Sequence, residues 1–190
     1  LLATGRERFN PSRARVAGPA VLSHRGQLLV RGPGGITALE LEADEPASLI
    51  LSTGSSYATA PAVAADGTLY FGSSRGGRLL AATAGGELLR ERKAVMARPV
   101  LGPDGMLYVT SGQKLSAFAT NGDALWEFEA ATPLGTPPAP APDGSVYVAS
   151  TSGLLYSIER GEKRWSFPLE QGVRAHLSVA PSGTVYAADT

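Results

Sequence analysis

Residues 103–128, PDGMLYVTSGQKLSAFATNGDALWEF, recur in recognisable form before and after at nearly constant spacing, and no other feature restricts the fold of this chain so tightly. The copies are counted from their turns. Asp66-Gly67, Asp104-Gly105, Asp143-Gly144 and Ser182-Gly183 follow one another at intervals of 38, 39 and 39 residues, and a weaker copy at Arg25-Gly26 lies 41 residues earlier. Three residues after each of the four stronger glycines stands a tyrosine, Tyr70, Tyr108, Tyr147 and Tyr186, with Leu29 in that place in the weak copy. Six residues before the glycine come Pro61, Pro99 and Pro138, with Leu177 in the last copy and Pro19 one residue out of step in the first. The pattern Gly-x-x-x-aromatic then closes a copy at Gly122 to Trp126, Gly161 to Trp165 and Gly5 to Phe9. A period near 39 with several short strands per copy indicates a propeller blade or a solenoid rung, not a helical repeat.

Within a copy the strands are read directly. The second copy gives APAVAA, TLYFGS, RLLAAT and ELLRER; the third RPVLG, MLYVTS, KLSAFA and ALWEFE; the fourth PPAPA, SVYVAS, LLYSIE and KRWSFP. Short runs rich in Val, Tyr, Leu and Phe, parted by turns every eight to ten residues, are the all-β pattern. Pro-Asp-Gly between the first two strands predicts a tight hairpin, because Pro presets φ at the first turn position and Gly supplies φ > 0. Alternation in LeuTyrVal at 107–109 sends Tyr108 to the face opposite its neighbours, and both faces of a stacked sheet are buried, so the tyrosines are expected in the core with a neighbouring backbone group as hydroxyl partner.

The charge balance narrows the function. Seventeen basic residues face seventeen acidic ones, so the chain lacks the positive footprint of a phosphate-backbone binder, and nucleic acid is excluded as a partner class. No stretch is apolar for long enough to span a bilayer as a helix. Zero cysteines remove disulfides, thiolate metal sites and cysteine nucleophiles together, and leave the compartment open. The opening residues show neither an initiator Met nor a signal-peptide layout, so the chain reads as a mature or excised piece that begins inside a repeat.

Candidate chemistry is sparse. Asp66, Asp104 and Asp143 are accounted for by their turns rather than by catalysis. Glu40, Glu42 and Asp44 share one strand face, beside Glu45, and without a glycine-shaped loop they read as a water-facing edge, so no metal site is expected. His24 and His176 fall at different phases of the repeat, with no Ser or acidic partner at a triad spacing. No glycine-rich loop precedes a helix, which excludes a dinucleotide phosphate cradle. No catalytic residue is assigned.

Residues 115–128, LSAFATNGDALWEF, and 155–167, LYSIERGEKRWSF, resemble the quinoprotein-type (PQQ-like) β-propeller repeat, whose third and fourth strands read roughly L-y-A-l-d-x-x-x-G-x-x-x-W-x-f. The resemblance implies an all-β fold, a β-propeller of four-stranded blades in a single domain over residues 1–190. Residues 1–10 would end a blade, 19–54, 55–94, 95–133 and 134–172 would each be one, and 173–190 would begin another. That is about five blades' worth, as a closed five-bladed ring or as an arc of a larger propeller. It further implies that Trp126 and Trp165 dock on the next blade as structural fasteners, with Arg90 replacing the aromatic in the second copy.

The family includes PQQ-dependent dehydrogenases, with a vicinal cysteine pair and a calcium site of acid and amide ligands. This chain has no cysteine and one clear Asn near a turn, Asn121, so no cofactor is expected. In character it is similar to non-catalytic relatives such as the propeller lipoprotein of the outer-membrane assembly machinery, which implies a scaffold, not an enzyme, that meets other proteins in the periplasm or another extracytoplasmic space. The alternatives are a fragment of a dehydrogenase-like enzyme and a propeller that binds a small ligand. Specificity in a propeller lies in loops at strand ends. The loops entering each innermost strand hold Tyr57, Arg98, Arg174 and His176, the candidate binding residues, which suit a protein partner or a small anionic ligand.

Overall fold

The computed structural model describes residues 20–22, 26–32, 35–40, 48–52, 59–73, 77–93, 98–169 and 177–187. These are strands and turns, with no helix among the described residues, arranged as four-stranded antiparallel sheets and one strand pair. Chain connectivity falls into two compact units, Leu1–Lys93 and Ala94–Thr190.

The first unit holds two sheets. β1 (Val21–Leu22), β2 (Gln27–Gly32), β3 (Gly35–Glu40) and β4 (Ser48–Ser52) are neighbours in sequence order, as are β5 (Ala62–Val63), β6 (Leu69–Ser73), β7 (Arg78–Ala82) and β8 (Leu88–Lys93). Leu29 and Ile36 of one sheet pack with Leu69, Phe71, Leu80 and Ala82 of the other, each shut off from solvent. Full burial of a Leu, Ile or Phe side chain stabilises by about 1.5–3 kcal/mol, so these six hold the two sheets face to face.

The second unit repeats the plan. β9 (Val100–Leu101), β10 (Leu107–Ser111), β11 (Lys114–Phe118) and β12 (Ala124–Glu129) form one sheet, and β13 (Ala139–Pro140), β14 (Val146–Ala149), β15 (Leu154–Glu159) and β16 (Glu162–Pro168) the next. A two-stranded sheet follows, β17 (Leu177–Val179) and β18 (Val185–Ala187). Tyr108, Leu115 and Ala117 of the first sheet pack with Val146, Val148, Tyr156 and Ile158 of the second. The opposite face of that second sheet, through Ala139, Tyr147, Ala149 and Leu155, receives Leu177, Val179 and Val185 from β17 and β18. The inner strands of the β13–β16 sheet are therefore buried on both faces. Tyr70, Tyr108 and Tyr147 are buried as the alternation predicts, whereas Tyr186 of β18 is exposed.

Two local devices repeat. Each first hairpin turns on a glycine at positive φ, 86° at Gly67, 76° at Gly105, 86° at Gly144 and 85° at Gly183, where an L side chain would be strained. The register between third and fourth strands slips once in every four-stranded sheet, after Ile36, Ala81, Ala117 and Ser157. Such a bulge increases local twist and re-aims the outer strand. At the slip Ala117 faces Trp126, Ser157 faces Trp165 and Ala81 faces Arg90.

Candidate functional site

Val100 pairs with Tyr108, and β10 runs on from there to Ser111, so the chain entering β9 and the hairpin at Gly112-Gln113 lie at one end of the sheet. The next sheet shows what that end is made of. Residues 130–136 run between two hairpins and bond to both. The amides of Ala130 and Leu134 donate to the carbonyls of Gln113 and Gly112, while Gly135 donates to Ala149 and Thr151 donates to Pro133, all at 2.8 Å. Hydroxyls cover this end. Thr132 and Ser152 are 2.8 Å apart, Ser150 and Ser152 3.0 Å, and the Thr110 hydroxyl donates to the Thr136 carbonyl.

A threonine clasp fixes the loop to the strand behind it. The Ala149 amide donates to Thr136 Oγ1 at 3.0 Å, and in the first unit the Gly72 amide donates to Thr59 Oγ1 at 2.8 Å. Thr136 is buried, so its hydroxyl replaces water that the Ala149 amide lacks. The sequence signal is a Thr two residues before the repeat proline, Thr59 before Pro61 and Thr136 before Pro138, and it is missed when only the Pro is counted.

At the other end of each sheet the turn aspartates behave as turn residues. Asp66, Asp104 and Asp143 accept, through Oδ1, the amides of Thr68, Met106 and Ser145 at 2.9–3.0 Å. The Thr68 amide holds the Asp66 carboxyl below the usual range. Tyr108 departs from expectation, since its hydroxyl donates to Asp104 Oδ2 at 2.5 Å instead of to a backbone group. Burial, with that bond second, pushes the Tyr108 phenol up, and burial does the same at Tyr70 with help from Asp66. A phenol held protonated and facing its own turn is a brace rather than a general base. Among the described residues no three acidic or His side chains gather as a metal site.

Of the candidate binding residues, Arg98 is half-buried, two residues before β9, at the end just described. Tyr57, Arg174 and His176 lie outside the described residues, as do His24, Glu42, Asp44 and Glu45, whereas Glu40 ends β3. The two tryptophans, alike in sequence, have different surroundings. Trp126 packs at the edge of the core between two sheets, where a Cβ placed on Gly161 of the following sheet would come 3.2 Å from the Trp126 Cβ. Trp165 keeps 43% of its surface exposed. Each ring sits 5.7 Å from its own sheet's tyrosine, Tyr108 or Tyr147. Arg90, in the corresponding place, is exposed and acts electrostatically on Tyr70.

Residues 111–190 match the model of the PQQ-type family described as outer membrane protein assembly factor BamB. A comparison with curated protein sequences finds no match. Among solved structures, a catalytically inactive variant of virginiamycin B lyase from Staphylococcus aureus, crystallised with quinupristin, is similar with a TM-score of 0.67 and 13% identity over 90% of this chain and 69% of that one. At that identity the likeness concerns the fold alone. It corrects one expectation, that the protein is not an enzyme: a lyase is built on this fold, so neither the propeller nor the scaffold resemblance gives ground for excluding catalysis. The chain has an all-β propeller fold of four-stranded antiparallel sheets, and residues 111–190 carry PQQ-like repeats.

Proposed function

We propose that the protein is a propeller scaffold that docks other proteins in the bacterial cell envelope, through the end of its sheets where the chain enters each innermost strand. The observation that carries this reading is the match of residues 111–190 to a family described as an outer-membrane protein assembly factor. The local structure is in keeping with it, because residues 130–136 are tied to both neighbouring hairpins and form a fixed platform on which side chains are presented. Tyr57, Arg98, Arg174 and His176 are the contact residues of this reading, Arg and Tyr being the types that combine contact area with directional hydrogen bonding. No helix among the described residues is long and apolar enough to cross a membrane.

The test is a pull-down from envelope extract with the wild type and with a variant carrying Arg98→Ala and Arg174→Ala. Loss of a wild-type partner, at unchanged melting temperature, is the expected result. Equal recovery by both proteins removes this end of the sheets from the proposal.

A further inference from the structure

Two tyrosine–tryptophan pairs of the second unit are alike in ring geometry and differ in one hydrogen bond. Tyr108 and Trp126 stand 5.7 Å apart at 48°, and Tyr147 and Trp165 stand 5.7 Å apart at 44°. The Tyr108 hydroxyl donates to Asp104 Oδ2 at 2.5 Å, whereas Asp143, in the same place of the next sheet, accepts only the Ser145 amide among the described residues. Gly102 decides the difference. It is buried, and its φ is not positive, so space and not backbone conformation calls for a glycine. A Cβ there would lie 2.5 Å from Asp104 Oδ1 and 2.7 Å from Tyr108 Cε2, closer than packed atoms come. In the next sheet that place is filled by the buried Ala141.

We infer that Tyr108 is a redox-active phenol, the place where an electron vacancy introduced at Trp126 by a one-electron oxidant comes to rest, with Asp104 as the proton acceptor. In this step the Trp126 indole radical cation is reduced by one electron from Tyr108, which is oxidised. The O–H bond of Tyr108 breaks, and its proton passes along the existing hydrogen bond to the Asp104 carboxylate. The products are a neutral indole, a neutral phenoxyl radical and a protonated carboxyl group, so atoms, charge and electrons balance. The carboxylate matters because a phenol that keeps its proton gives up an electron reluctantly, and an acceptor must stand within hydrogen-bond reach to take that proton. Tyr108 is buried, so Asp104 does what water cannot. The oxidant is a small radical of the azide or peroxyl class, and it reaches the indole because Trp126 is only partly buried. A vacancy at Trp165 meets a phenol at the same distance with no carboxylate behind it, and is held longer. The site lies at the turn end of the sheet and does not depend on the loop end proposed above.

The test is pulse radiolysis of the full chain with azide radical, which oxidises indoles, following the decay of the indole-radical absorption and the growth of the phenoxyl absorption. Trp165→Phe leaves Trp126 as the sole point of entry, and Trp126→Phe leaves Trp165. The expected result is phenoxyl growth that is first-order, independent of protein concentration, and several-fold faster from Trp126 than from Trp165. In the Trp165→Phe chain, Asp104→Asn keeps a side-chain acceptor for the Met106 amide, and Gly102→Ala keeps the carboxylate but pushes it from the phenol. Each should slow the growth to the Trp165 rate, and Tyr108→Phe should remove the fast phase. Equal rates from the two tryptophans overturn the inference, and so does an unchanged rate in Asp104→Asn. A fast phase that survives Tyr108→Phe would assign the phenol to Tyr156 and also overturn it. The comparison of the two tryptophans leaves every turn residue in place, so it decides the matter even where a turn variant fails to fold.

Discussion

The Phe128 ring lies 5.5 Å from the Tyr156 ring, tilted by 57°, and this contact joins the outermost strand of one sheet to the third strand of the next. Tilted aromatic pairs at this separation contribute about 0.5–1.5 kcal/mol beyond the area they bury. A double-mutant cycle with Phe128→Leu and Tyr156→Leu is therefore expected to give a coupling energy in that range, read from denaturant midpoints. Simple additivity would mean that the two sheets are held by burial alone.

The tryptophans should part company on truncation. Trp126, pressed against the following sheet, is expected to cost roughly 2–4 kcal/mol as Trp126→Ala, below the loss for a fully enclosed Trp because its edge is wet. Trp165→Ala, from a side chain with 43% of its surface in water, is expected to cost less than about 1 kcal/mol. Equal losses in urea unfolding would contradict the geometry.

How much of this could be read in the sequence depends on where the cause lies. The turn glycines and the tyrosine phase are legible because a positive φ and strand alternation are local demands, met within a few residues. The difference between Trp126 and Trp165 is not legible, since what covers a fourth strand belongs to the repeat that comes after. The Asp104–Tyr108 bond is foreshadowed by an Asp and a Tyr four apart in three copies, but a turn accounts for the one and a buried strand face for the other without requiring that they meet.

Burial of the phenols, with the Asp104 bond second at Tyr108, makes stability depend on alkaline pH. Tyr108 and Tyr70 both hold their protons more tightly folded than unfolded, so the folded state binds more protons above the ordinary phenol pKa. Their contribution is complete below a pH of about 10 and is lost as pH rises through the folded values. Tyr108→Phe is expected to flatten the fall in unfolding midpoint above that pH and to cost about 1–2 kcal/mol at neutral pH through the lost hydrogen bond.

One turn is strained and can be relieved. Arg160, with Gly161, forms the hairpin between β15 and β16, and its φ of 51° places a long side chain in the left-handed region. Arg160→Asn or Arg160→Gly should raise stability by about 0.5–1 kcal/mol, seen as a higher melting temperature. Gly161→Ala should act in the opposite direction, and more strongly than Gly122→Ala, where a Cβ at a similar φ meets open space.

Thr136→Val keeps the shape of a buried side chain and removes the acceptor for the Ala149 amide. The expected loss is about 1–3 kcal/mol, the desolvation cost of a stranded N–H. Faster hydrogen exchange at Ala149 and Gly135 would locate the damage.

The segment from Ala130 to Thr136 is hydrogen-bonded on both sides, to Gln113 and Gly112 behind it and to Ala149 ahead, so its shape is set when the sheets form. A surface settled at folding has little conformational entropy left to surrender on contact, and side-chain and loop ordering is one of the larger costs of association. Whatever meets this rim should find it preorganised, with backbone shifts on binding of about 1 Å or less, and with affinity governed by dissociation rate more than by any search for the right loop shape.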